Sequence, residues 1–418
     1  MTKKYFDALR QIAQPIRAAD LPHTLDHMRR LLDALGNPQQ HFPSIVVTGS
    51  TGKGTTCVRL ADLLSIMQIK VGLYTSPHLH SFRERIAVLQ QNPEQDGDST
   101  TPQRLISQSE FVEAAQPVFA AQETLNHTYS TFETTTALAL YWFAQQNIDI
   151  AVLEVGIGGR FDAVNAVANT LAVFTPIEAE HVAMLGGSLE SVAWHKAGII
   201  QPNGIATSVP QPPEVQAILE REAREKSATL HFIPDPLSLI PALLDLSSPL
   251  VTHPSSRITS LLPGRLESLT SGSHAVIIDG GHTPAAARYL LPAILYAISI
   301  RFIVGMLRDK NVAAYLSVFD LPQFHFVYTQ APGDRALTPD ELLALYKPTQ
   351  ASFTLVPSLD EALAQAVTAP EALIVVAGSL RMAAAAREAF GLLSADELEE
   401  SHLTRAIFEG EAYQNKLK

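Results

Sequence analysis

The sequence predicts an α/β protein of two domains, each built on a mostly parallel sheet. Three observations carry that expectation. Short β-branched runs alternate with longer helix-like segments along most of the chain. At 418 residues the chain exceeds what one compact core usually holds. A Pro- and Ser-dense interval, residues 233–263, interrupts the alternation, which then restarts. The boundary falls there, giving domains of 1–262 and 263–418.

In the first domain the expected strands are 44–49, 70–76, 148–156, 170–177 and 204–209. Helical patterns lie between them, including 55–68 and 133–146, and the polar segment 90–103 reads as an exposed loop. In the second domain the strands are 275–279, 301–306, 324–331, 352–357 and 372–379. The charged tail from about 396 reads as a helix or a frayed end.

Composition narrows the function. Hydrophobic residues at 46% and charged residues at 17% are ordinary for a globular protein. A formal net charge of −12 leaves no basic surplus to neutralise phosphates, which argues against a nucleic-acid partner. The single cysteine, Cys57, excludes a disulfide framework and fits a reducing compartment. No stretch approaches the roughly 20 apolar residues that span a bilayer. A cytoplasmic monomer with no membrane partner is the expectation.

The motifs sit where an open α/β sheet binds ligands, outside the carboxyl ends of its strands. IVVTGSTGKGTTC (45–57) runs from a strand through a glycine loop into a helix. Gly49, Gly52 and Gly54 free the backbone to face an anion, Lys53 adds a point charge, and Thr55 or Thr56 offers a hydroxyl. The spacing is shorter than the G-x-x-x-x-G-K-[ST] loop. Ser76, Glu154 and His181 each follow a strand and could complete a Mg²⁺ site. Singly, Glu154 reads equally well as an ion-pair partner and His181 as a satisfied loop histidine. Lys196, near a helix end, reads alone as a cap on that helix's carbonyls. In the second domain, LLPGRLES holds Arg265 and VIIDGGHTP holds Asp279 and His282, either site residues or turn formers.

Taken in order, these segments resemble the Mur-ligase superfamily and, within it, the folylpolyglutamate synthase/dihydrofolate synthase family. GSTGKGTTC is similar to the family's shortened G-T-N-G-K-G-[ST] loop, and TSPHLHSFRERI to its S-P-H-L…E-R-I segment. TFETTTALAL resembles F-E-x-x-T-x-x-A, and LEVGIGGRFDAVN resembles L-E-V-G-L-G-G-R-L-D-A-T-N. WHKAGII, LLPGRLE, IIDGGHTP, VGMLRDKNV and AGSL follow in the family's order, and the likeness covers roughly 25–394.

The resemblance implies a P-loop ATPase-like first domain and a smaller Rossmann-like second domain, the Mur-ligase architecture. It also implies ATP-dependent addition of L-glutamate to a dihydropteroate or folate carboxylate through an acyl phosphate. Gly52 to Thr55 would hold the triphosphate, with Ser76, Glu154 and His181 on Mg²⁺. Lys196 matches a lysine that is carbamylated in the family. Phe132 with Glu133, and Phe161, Asp162 and Ala163, match pterin-binding segments, and Arg85 falls in the E-R-I segment on the substrate side. Arg265 and Asp279 match nucleotide contacts, and His282 a residue near the γ-phosphate and glutamate. Departures are Thr51 for the loop asparagine, Ala179-Glu180-His181 for L-D-H, and Gly281 and Thr283 in the D-A-H-N-P or D-G-A-H-N-P segment. Between 233 and 262 the family's N-A-A-x-A-x-A-A segment has no counterpart. A Mur-type ligase for another carboxylate, or a non-catalytic relative keeping the fold, are the alternatives.

Overall fold

The computed structural model describes residues 3–13, 24–90, 103–235, 262–368 and 373–409. The chain forms two compact units, Met1–Ser260 with His402–Lys418, and Leu261–Ser401.

The first unit's sheet has strands β1 (Ser44–Thr48), β2 (Val71–Tyr74), β3 (Ile86–Leu89), β4 (Gln103–Leu105), β5 (Ile150–Glu154), β6 (Leu171–Phe174), β7 (Ile205–Ser208) and β8 (Thr229–Phe232). Their order is β4-β3-β2-β5-β1-β6-β7-β8. From β2 to β8 the pairings are parallel, whereas β3 and β4 join antiparallel at one edge. The apolar runs of β1, β5 and β6 are buried throughout, as a sheet covered on both faces requires. Helices α1 (Lys3–Ile12), α2 (Asp26–Ala34), α3 (Lys53–Ile66), α4 (Gln108–Leu125), α5 (Thr131–Gln145), α6 (Leu189–Ala197) and α7 (Pro213–Glu225) belong to this unit.

Its order fixes the site. β1 lies between β5 and β6, with Val47 opposite Glu154 and Thr48 opposite Phe174. The loop after β1 therefore emerges at a switch point, beside the carboxyl ends of both neighbours.

The second unit repeats the principle with β9 (Glu267–Ser271), β10 (His274–Asp279), β11 (Ile300–Val304), β12 (Phe324–Gln330), β13 (Ser352–Ser358) and β14 (Leu373–Ala377). Their order is β13-β12-β11-β14-β10-β9, parallel except for the β9 edge. Asp279 and Val304 both sit level with Ala377, so the IIDGGH, VGML and AGSL segments leave the sheet at one end. Helices α8 (Pro284–Ile294), α9 (Val312–Leu316), α10 (Pro339–Leu345), α11 (Leu359–Val367) and α12 (Leu380–Ala389) follow. Its core, built on Phe302, Phe319, Phe326 and Tyr328, is separate from that of the first unit.

Every strand expected from the sequence is present. β3, β4, β8 and β9 were not legible, because they are three to five residues long and lie at or next to a sheet edge. The assignment of the whole tail to the second domain is corrected. Helix α13 (Ala395–Glu409) belongs from His402 onward to the first unit, where Leu403, Ile407 and Phe408 pack on its core. Most of the 233–263 interval and of the 90–103 loop lies outside the described residues. Among the described residues no helix is long and apolar enough to cross a membrane.

One carboxylate ties the second unit together. Asp320 accepts from Gln350 N at 2.9 Å and Ala351 N at 2.8 Å, and from Thr349 N, Thr349 Oγ1 and Tyr346 Oη at 2.8, 2.9 and 2.9 Å. Burial alone would raise its pKa, but the N–H groups of Ala351, Thr349 and Gln350 and the Thr349 hydroxyl outweigh it and hold the carboxyl well below its usual range. The folded pKa lies below the unfolded one, so the stabilisation is present above about pH 4 and is lost as pH falls. Asp320→Ala should cost about 2–3 kcal/mol at neutral pH by denaturant unfolding, and the difference from wild type should shrink in acid.

Candidate active site

The glycine loop is built as the short spacing requires. Gly49 leaves β1 at φ +151°, and a Cβ there would lie 1.8 Å from Thr175 Oγ1, so no side chain fits. Ser50 N donates to Pro176 O at 2.8 Å, and Ser50 Oγ donates to Glu178 O at 3.0 Å. Gly52 takes the left-handed conformation, φ +85°, at the N-cap of α3, with open space where a Cβ would project. The first-turn N–H groups of α3, at Lys53, Gly54 and Thr55, have no intrahelical partner by geometry and favour an anion. Thr56 N donates back to Gly52 O at 2.9 Å and starts the helical ladder.

Two lysines meet at this loop. Lys53 Nζ donates to Gly49 O at 3.2 Å, and Lys196 Nζ donates to the same oxygen at 2.6 Å. Lys196 sits in the last turn of α6 and is buried, and this bond directs it to the loop rather than to a carbonyl of its own helix. Burial and the positive charge of Lys53 push its pKa down to about 7, against the opposing pull of Glu180 and Asp162. Lys196 therefore gives up its proton more readily than an ordinary lysine.

Glu154 ends β5 and is buried, and its Oε2 accepts from Ser76 N at 2.9 Å, so these two expected ligands are brought together. Below the loop the buried Cys57 thiol is pushed well up by burial and by Glu154, against Lys53. His181 stands in a left-handed turn, φ 53°, with its side chain 36% exposed and Nε2 3.9 Å from Glu180 Oε1. Among the described residues no group of three or more His, Cys, Asp or Glu side chains is arranged to hold a metal ion.

The segments expected to face the acceptor divide. Phe132 packs against Gly156, where an added Cβ would come within 2.9 Å of its ring, and lies 5.8 Å from the Tyr74 ring. Phe161 meets the rings of Trp194 at 6.1 Å and His195 at 5.9 Å. Asp162 is a loop former: its Oδ2 accepts from Gly156 N and Ile157 N, both at 3.1 Å, and Oδ1 from Val164 N at 3.0 Å. Burial pushes it up to about 7, against those N–H groups and Lys53. Ala163 is buried in the 3₁₀ turn that Asp162 caps. Glu133 caps its helix: its Oε2 accepts from Ser130 N and Oγ at 2.8 Å each, while Oε1 meets His27 Nε2. Arg85 donates from Nε to His78 Nδ1 at 2.9 Å, and its guanidinium lies 4.9 Å from the Phe82 ring centroid.

Two organising residues were missed. Glu84 accepts from Leu79 N, His80 N and Ser81 N at 2.7, 2.9 and 2.7 Å and folds the loop that carries Arg85. The S-x-x-E capping-box spacing of Ser81 and Glu84 was its signal. Arg160 lies 4.0 Å over Trp194 and donates to Glu222 Oε2 at 2.6 Å, a link across 62 residues that carries no local signal.

In the second unit Asp279 ends β10, and its Oδ1 accepts from Gly281 N at 2.7 Å and Oδ2 from Leu266 N at 3.0 Å. Burial raises its pKa, opposed by Arg265, the two N–H groups and His282. A Cβ on Gly281 would lie 2.5 Å from Asp279 Oδ1, and Gly280 N donates to Gly264 O at 2.7 Å, which joins the LLPGR and IIDGGH segments. His282 Nδ1 meets Gly280 O at 3.1 Å. Thr283 caps α8 by accepting from Ala286 N at 3.2 Å, a role an asparagine there would also fill.

Comparison with known proteins gives the class of the chain. Residues 264–380 match the family described as Mur ligase, glutamate ligase domain, which defines the class as a ligase. The folylpolyglutamate synthase of Lacticaseibacillus casei is 32% identical, over 88% of this chain and 95% of its own. The dihydrofolate synthase/folylpolyglutamate synthase of Escherichia coli K12 is 30% identical, over 81% and 84%. Among solved structures, E. coli FolC in complex with DHPP and ADP superposes with a TM-score of 0.74 at 26% identity, covering 90% of this chain and 96% of that one. A bifunctional folylpolyglutamate synthase/dihydrofolate synthase with Mn, AMPPNP and L-glutamate bound gives 0.73 at 25%, covering 90% and 100%. The chain belongs to the folylpolyglutamate synthase/dihydrofolate synthase family of ATP-dependent ligases.

Gly49→Ala should cost about 2–4 kcal/mol in thermal or denaturant unfolding, because β-branched Thr175 cannot swing aside. ATP turnover should fall with it, as the backbone shift that admits a Cβ moves the carbonyl oxygen that both lysines share.

Proposed function

We propose that this chain joins L-glutamate to the carboxylate of dihydropteroate or a folate, with ATP activating that carboxylate as an acyl phosphate. The observation that carries the reading is the pair of lysines on Gly49 O, beside a buried Glu154 held to Ser76. A phosphate loop alone fits many reactions, whereas a second, buried lysine beside it is the feature that fits this family.

Each residue has a task. The N–H groups at the start of α3 and Lys53 bind the transferring phosphoryl group, where positioning and charge stabilisation do most of the catalytic work. Ser76 and Glu154 supply the hard oxygen donors that suit Mg²⁺, and His181 is proposed as a further donor from its exposed turn. A divalent ion held there with phosphate oxygens and water needs only one or two protein carboxylates, which fits the small donor set. It would supply charge neutralisation on the phosphates.

Lys196 is poised for carbamylation. Its unprotonated Nζ attacks the carbon of CO₂, an N–C bond forms, an electron pair moves to oxygen, and one proton leaves the nitrogen. The product carries a negative charge where the amine stood, next to Lys53, which relieves the repulsion between the two lysines. Phe132 and Phe161 flank the acceptor's pterin, with Ala163 and Asp162 shaping that wall. In the second unit Arg265 and Asp279 contact the nucleotide and His282 orients glutamate. The cytoplasm is the compartment inferred from the single buried thiol and the ATP requirement.

Phosphate release should require ATP, L-glutamate and either dihydropteroate or a folate together, and release with another acid and amine only would overturn the reading. With ¹³C-bicarbonate, a carbamate resonance absent from Lys196→Ala should grow as pH rises through about 7, because only the neutral amine reacts.

A further inference from the structure

We infer that Phe408, on the C-terminal helix, is a positioning residue for Arg85 and through it for binding of the acceptor acid. The inference rests on the proposed function and on the family resemblance that puts Arg85 on the substrate side, as a contact of the acceptor acid. Helix α13 lies beyond the segments that carry the family likeness and beyond the matched ligase domain, 264–380.

The geometry runs through two rings. Phe408 stacks on Phe82 with centroids 4.9 Å apart and planes at 15°, and its ring is 6.1 Å from that of His78 at 65°. Both groups also touch Arg85: the guanidinium lies 4.9 Å from the Phe82 centroid, and Nε donates to His78 Nδ1 at 2.9 Å. Phe82 is fully buried and its position is fixed on another side by Phe111, edge-on at 5.9 Å. His78 and Phe82 touch each other at 5.3 Å. Phe408 therefore braces two partners of one arginine.

That brace has an energetic meaning. A free arginine side chain loses rotamer freedom when it is fixed, and a guanidinium already held by a ring and an imidazole loses less on meeting a carboxylate. The backbone of the loop has a second support, because Glu84 accepts from three of its N–H groups without involving Phe408. Removing the ring should thus loosen Arg85 while leaving the loop and the phosphate site in place.

The test uses the full chain with Phe408→Ala, Phe408→Tyr and Arg85→Lys, and steady-state KM for dihydropteroate or folate and for ATP. Phe408→Ala should raise the acceptor KM by roughly three- to tenfold with the ATP KM unchanged. Phe408→Tyr, which keeps the stacking ring, should restore it, and Phe408→Ala should add little in the Arg85→Lys background. An acceptor KM unaltered by Phe408→Ala while Arg85→Lys raises it overturns this inference alone. An acceptor KM indifferent to Arg85→Lys removes the underlying reading as well. A parallel rise in both KM values with a lowered Tm would assign Phe408 to general stability and overturn the positioning role.

Discussion

A single backbone oxygen, that of Gly49, accepts from two lysines, and much of the first unit is arranged to make that meeting possible. Bringing two cationic side chains to one acceptor is costly, and it is more so for one already buried. The lower-cost state is reached when one of them gives up its proton. Lys196 is the more buried of the two, and burial with the charge of Lys53 pushes it down to about 7. The same carbonyl turn forces glycine, since Thr175 from the neighbouring strand end occupies the space a side chain would need.

The sheet makes the meeting local. With β1 between β5 and β6, the loop, Glu154 and Thr175 reach the same edge from three adjacent strands. Lys196 comes from a helix over 140 residues away in sequence and is delivered by the parallel crossover architecture rather than by any local motif. The second unit shows the same device with the charge reversed. There a buried carboxylate, Asp279, is held at a strand end by two backbone N–H groups and a glycine that cannot carry a Cβ.

The parallel core was legible because its strands are buried on both faces and read as continuous apolar runs. Edge strands such as β4 and β9, short and partly exposed, lack that signature. Among site residues, the glycine loop, Glu154 and Asp279 could be read from their place at strand ends. Glu133 and Asp162 could not be sorted from sequence, since a carboxylate that caps backbone N–H groups looks the same as one that faces a substrate. The tail was misassigned because an aromatic stack between residues 82 and 408 has no trace in local periodicity. A single lysine near a helix end reads as a cap on its own helix, whereas Lys196 reaches Gly49 O, a partner that local sequence does not announce.

The state of Lys196 is the central claim, and its titration tests it most directly. Lysine side-chain ¹³Cε NMR, assigned by comparison with Lys196→Arg and recorded in CO₂-free buffer, would follow that one amine through neutral pH. A midpoint near 7 is the expected result. A midpoint at the ordinary lysine value of 10.5 would contradict it, because a lysine that stays protonated at neutral pH cannot react as a free amine.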